Sequence, residues 1–121
     1  MKVYKYRAFS KWAKNENLDE LLLKEAINEI EQGLFDANLG GNLYKKRIRR
    51  TGRGKSGGYR TFIAFKQGDK AIFLFGFAKN VQENITGKEL EVLQNLGRNY
   101  FLLPMNKIHE AVKIGELIEV L

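Results

Sequence analysis

The chain has 121 residues and a formal net charge of +7, with no cysteine and one histidine. That length fits one domain with its own core, and the missing cysteines exclude disulfide frameworks, thiolate metal sites and cysteine nucleophiles. The longest apolar run, the eight residues Ala71–Ala78, is far short of the roughly 20 that span a bilayer, and no apolar stretch follows the charged start Met1–Arg7, so a soluble cytoplasmic protein is expected.

In chain order, Val3–Phe9 alternates and predicts a short strand, after which Ser10 caps a turn of helix containing Trp12 and Ala13. Asn17 with Glu20 three residues on resembles a capping box, and Leu18, Leu21, Leu22, Ala26, Ile27 and Ile30 recur at helical spacing. The pattern predicts an amphipathic helix over 18–32, stopped by Gly33. Gly40-Gly41-Asn42 reads as a turn into a strand over Leu43–Arg50. Thr51–Gly58 carries four glycines and no apolar residue, and reads as a connection. Tyr59–Lys66 alternates as a strand, Gln67-Gly68-Asp69 is a hairpin turn, and Lys70–Ala78 is apolar enough to be central and buried on both faces. Thr86 with Glu89 gives a second capping box, opening a helix through Leu90, Leu93, Leu96 and Tyr100 that Pro104 ends. Asn106 is expected to cap a last short helix stopped at Gly115, and Glu116–Leu121 to form a strand or tail. Helices on either side of a three-stranded antiparallel meander predict an α+β fold in a single domain, 1–121.

The charge is concentrated. Nine of the 21 bases lie in residues 37–68, which hold no acid, and the other 12 are set against all 14 acids: +9 on the segment, −2 on the rest. A single-sign block inside a folded chain costs self-repulsion and suggests a polyanionic partner, nucleic acid before an acidic protein.

Two motifs in the block fail on context. Gly52-Arg53-Gly54-Lys55-Ser56-Gly57 matches G-x-G-x-x-G, but a strand is predicted where a dinucleotide-binding helix should begin. Gly54-Lys55-Ser56 echoes a P-loop, but the leading glycine would fall on Arg49. His109 stands apart from the block and reads as a surface or partly packed residue. Trp12 and the phenylalanines of the third strand are expected in the core, since Phe73, Phe75 and Phe77 alternate with Ile72 and Leu74, whereas stacking platforms alternate with cations.

What remains is a set of cations on strands. Pleating puts Lys45, Arg47 and Arg49 on one face and Lys46 and Arg50 on the other; Ile48 shares the second face, so the first is expected to meet solvent. Arg60 opens the next strand, and Lys79 with Asn80 closes the most hydrophobic one. Cations held at strand ends are positioned for transition-state charge stabilisation, although a solubilising lysine reads the same way at position 79.

These residues resemble the RelE/HigB-like toxins of bacterial type II toxin–antitoxin pairs. The match lies in Gly40-Gly41 followed by Leu43–Ile48, in Gly52-x-Gly54-Lys55-Ser56-Gly57-Gly58-Tyr59-Arg60, and in Gly76-Phe77-Ala78-Lys79-Asn80. Lys11-Trp12-Ala13-Lys14, Glu31-Gln32-Gly33 and Gly115–Val120 extend it over nearly the whole chain. The resemblance implies N-terminal helices packed on a small twisted antiparallel sheet, with C-terminal helices after it. It implies ribosome-dependent cleavage of messenger RNA, no cofactor and no metal, and neutralisation by a cognate antitoxin, often a helix-turn-helix protein through which alone DNA would be met. No membrane partner is expected. The family's catalytic arginine falls on Arg60 and its lysine on Lys79; basic strand positions fall on Lys45 and Arg47, with Arg49 beside them. A C-terminal tyrosine used by some relatives is not assigned to Tyr100, which sits in mid-helix.

RNA carries its own nucleophile, the 2′-hydroxyl beside each phosphate, so cleavage needs preorganised positive charge and a route for protons. Arg60 is expected to clamp the phosphate and Lys79, partly buried among cations, to move the proton. Lys45, Arg47, Arg53 and Lys55 would hold the backbone, and Asn80 joins them as a contact residue. A ParE-type gyrase inhibitor and a non-catalytic RNA- or ribosome-binding module remain as alternatives.

Overall fold

The computed structural model describes residues 1–50 and 57–121. The connection expected over 51–58, with Arg53 and Lys55 in it, therefore lies outside the described residues except for Gly57 and Gly58. The elements run β1 (Lys2–Tyr6), α1 (Arg7–Asn15), α2 (Glu20–Glu31), β2 (Ala37–Asn38), β3 (Leu43–Arg49), β4 (Gly58–Phe65), β5 (Lys70–Ala78), α3 (Gly87–Leu102), α4 (Met105–Lys113) and β6 (Leu117–Glu119). They build an α+β fold on one sheet of order β2-β3-β4-β5-β1-β6. The meander β3-β4-β5 is antiparallel as expected, while β1 adds parallel to β5 and β6 antiparallel to β1. No helix among the described residues is long and apolar enough to cross a membrane.

Two layers cover the sheet. On one face α1 and α2 bury Phe9, Ala13, Leu23 and Ile27 against Ile48, Tyr59, Ile63 and Phe73. On the other, α3 and α4 bury Leu93, Tyr100 and Ile108 against Leu43, Phe62, Ala64 and Ile72. Close approach is bought with glycine at two points: a Cβ on Gly76 would meet the Trp12 ring at 2.5 Å, and one on Gly58 would meet the Ile48 carbonyl at 2.6 Å.

Several boundaries differ from the sequence reading. The first strand ends at Tyr6 and α1 starts at once, because Phe9, Trp12 and Ala13 pack at helical spacing against β5 and Tyr59. Asp19, not Asn17, caps α2, accepting from the Leu21 N–H; Asn17 instead takes a left-handed φ of 56° as the chain leaves α1. Pro104, rather than Asn106, occupies the cap position of α4, its fixed φ suiting both the end of α3 and the start of the next helix. The Thr86/Glu89 capping box forms in both directions, and Gly33 and Gly115 close their helices at φ +84° and +81°.

Candidate functional site

Register, more than sequence proximity, assembles the cations. Arg47 on β3 stands opposite Arg60 on β4, which stands opposite Phe77 on β5. The next row is Lys45, Phe62 and Phe75. On the other side Arg49 faces Gly58, whose carbonyl accepts the Lys79 N–H at 3.0 Å. All of these belong to the sheet face that α3 covers lower down, where Gly97 packs against Ala64 and Leu93 and Tyr100 join Leu43. That resolves the presence of Leu43 on a cationic face: the strand passes from under α3 into the open, and its side chains change from apolar to basic at that point.

Partners divide the basic block by face. Lys46 Nζ lies 2.8 Å from Glu29 Oε1 and 3.0 Å from the Leu34 carbonyl, and Arg50 lies 3.9 Å from Glu16 Oε1 and over the Tyr59 ring. Arg49 belongs by register to the open face, yet its guanidinium turns around the sheet edge to Glu25 Oε1 at 3.1 Å. The helix α2 and the end of α1 therefore neutralise Lys46, Arg49 and Arg50. On the open face the side-chain charges of Lys45, Arg47, Arg60 and Lys79 make no ion pair within 4 Å among the described residues, although the Arg47 backbone N–H donates to the Asp36 carboxylate.

Arg60 is the most constrained of the four. It is half-buried, its Nη1 is shielded from solvent, and that nitrogen has no hydrogen-bond partner among the described residues. A buried charged donor without an acceptor is costly, and a like charge directly opposite on Arg47 adds to the cost. An anion lying on the face would supply the acceptor and neutralise both guanidinium groups at once. Lys79 is exposed, contrary to the partial burial expected of it, and lies beside Gly57 at the entry to β4. Asn80 follows it, exposed, in the turn after β5.

The sequence did not point to Asn84. Its Oδ1 accepts from Lys45 Nζ at 3.4 Å and from the Ile85 N–H at 2.9 Å, tying the segment after β5 to β3. The aromatic reading also changes. An irregularity in the β4–β5 register sets Phe62 opposite Phe75 but Ile63 opposite Phe73, so Phe73 faces α1 while Phe75 and Phe77 share the face of Lys79. Tyr100 is a core residue. Its buried hydroxyl donates to Glu116 Oε1 at 2.7 Å, and burial first, then the Glu116 carboxylate, hold the phenol well above its ordinary value. His109 is exposed on α4.

A family model described as RelE toxin of RelE / RelB toxin-antitoxin system matches residues 1–120. No curated protein matches the chain.

Proposed function

The chain belongs to the RelE toxin family and is a toxin of a toxin–antitoxin system with a cognate antitoxin as partner; from that premise we propose that it is an endoribonuclease cutting messenger RNA on the ribosome. The observation that carries this reading is the division of cations by face, with Arg60 Nη1 shielded and unbonded on the face whose cations make no ion pair among the described residues. A surface built only for solubility would leave its arginines hydrated, whereas a buried guanidinium edge suits a ligand that brings its own oxygens.

In this reading the RNA 2′-hydroxyl gives up its proton to solvent and attacks the adjacent phosphorus, the bond to the 5′-oxygen breaks as that oxygen takes up a proton, and the products are a 2′,3′-cyclic phosphate and a 5′-hydroxyl. Arg60 clamps the non-bridging oxygens and stabilises the charge that grows on them. Lys79, at the rim, is the group for proton transfer to the leaving oxygen. Lys45 and Arg47 hold flanking phosphates, Arg53 and Lys55 add to them, and Asn80 contacts the RNA beside Lys79. Arg49 contributes least, being engaged by Glu25. Attack by the RNA's own hydroxyl calls for no metal. It does call for an in-line geometry that free RNA rarely adopts, and the ribosome supplies it. The antitoxin is expected to be a helix-turn-helix protein, and the toxin to act in the cytoplasm.

Mapping transcript 5′ ends after induction tests this. The wild type should create new ends within translated regions, and Arg60→Ala with Lys79→Ala should create none while still binding ribosomes. Growth arrest that persists in the double variant, or broken DNA without new RNA ends, would point to the gyrase-directed alternative.

A further inference from the structure

Beside the cations lies an apolar feature that phosphate binding does not use. Phe75 floors a groove of about 500 Å³ whose walls include Val92 and Leu93 of α3 and whose rim carries Lys88, Glu91 and Asn95. Pairing of β1 with β5 ends at Lys5 and Phe73, so among the described residues no strand flanks Phe75 on that side. Phe75 is half-buried and packed between Phe62, tilted at 6.2 Å between ring centroids, and Phe77, edge-on at 6.0 Å. Val92, on the wall, is 63% exposed.

The groove adjoins the proposed phosphate site through Phe75. Phe75, Phe77 and Lys79 follow one another along one face of β5, and Phe77 stands opposite Arg60. Phe75 is thus a diagonal neighbour of Arg60, about 7–8 Å away between Cα atoms. One nucleotide's phosphate on Arg60 leaves its base, or the next one, within reach of the ring. The rim charge decides which part of the RNA enters: Glu89 and Glu91 against Lys88 repel a phosphate but accept hydrogen bonds from a base's amino group.

We propose that Phe75 is a stacking platform for an unpaired nucleobase next to the scissile phosphate, with Glu91 and Asn95 placed to read its edge; this rests on the RNA-cleaving reading above. An aromatic ring already packed on two others loses little freedom on binding, and aromatic stacking discriminates bases by their flat faces.

The test uses purified toxin and ribosomes programmed with an intact message or with messages abasic at one nucleotide on either side of the cut. Phe75→Leu keeps the apolar bulk but removes the ring face. On intact message it should lower kcat/KM roughly 5- to 100-fold. For one abasic message the wild type should fall by the same factor and Phe75→Leu no further. Val92→Glu, at an exposed helix position, should copy Phe75→Leu by placing a carboxylate in the groove, and it covers the case in which Phe75→Leu fails to fold. Both variants cutting like the wild type, or losing the same factor on intact and abasic messages, overturns the platform alone. Weakened antitoxin binding with unchanged cutting assigns the groove to the antitoxin and overturns it too. A wild type that cuts no message takes the nuclease reading down with it.

Discussion

Replacing Arg60 should separate stability from activity. Its Nη1 is buried and unbonded among the described residues, and it stands opposite Arg47. A buried donor left without its acceptor costs about 1–3 kcal/mol, and like charges directly opposite add about 0.2–1 kcal/mol. Methionine keeps most of the side chain's apolar stem while removing the charge. Arg60→Met should therefore raise the unfolding free energy by about 1–3 kcal/mol. For a chain of 121 residues, at about 3–6 °C per kcal/mol, that is a Tm higher by roughly 3–18 °C. Thermal unfolding in phosphate-free buffer measures it. Added RNA should then stabilise the wild type by about 2.7 kcal/mol at a hundred times Kd, raising its Tm further, and leave Arg60→Met nearly still. Growth arrest should disappear in the stabler protein. A variant clearly less stable than the wild type in phosphate-free buffer would refute the reasoning, because Arg60 would then be serving the fold.

Lys79→Ala should lower the cutting rate by about 10²–10⁴ with little change in ribosome binding, as read by single-turnover cleavage; a variant that cuts normally removes Lys79 from the chemistry. Gly76→Ala should cost about 1–3 kcal/mol or more, since its Cβ would sit 2.5 Å from the Trp12 ring, and a shifted Trp emission with a lowered Tm checks it. Tyr100→Phe should leave cutting unchanged while lowering stability by about 1 kcal/mol for the lost bond to Glu116. Burial holds the Tyr100 phenol above its ordinary value of 10.0, so the folded state keeps the proton that the unfolded chain loses. Stability should be at its full value below pH 10 and fall as pH rises past it, less steeply in Tyr100→Phe. Tyr4 and Tyr59, also raised by burial, keep part of the slope.

Several local signals in the sequence hold in the structure because their physics is local, whereas the caps expected at Asn17 and Asn106 fall on Asp19 and Pro104. The Thr86/Glu89 capping box, the glycine stops at Gly33 and Gly115, and the alternation that put Lys45 and Arg47 on the face opposite Ile48 all depend on neighbours a few residues apart. The parallel pairing of β1 with β5 joins segments some 70 residues apart, and nothing in either strand names its partner. One extra residue in β5 changed which phenylalanines share a face with Lys79, and a bulge leaves no mark in a run of apolar residues. Arg49 read as a twin of Arg47 until α2 brought Glu25 to the sheet edge. Thus the strand pattern located the cations, but only packing revealed which of them had carboxylate partners.

The central claim is that the open cationic face cuts RNA through the RNA's own 2′-hydroxyl. A message with a single 2′-deoxynucleotide at the cleaved position, loaded on ribosomes beside its all-ribose counterpart, tests this most directly. The account predicts that purified toxin cuts the all-ribose message, leaving a 2′,3′-cyclic phosphate and a 5′-hydroxyl, and leaves the deoxy position intact. Cutting of both at one rate, or of neither, would contradict it.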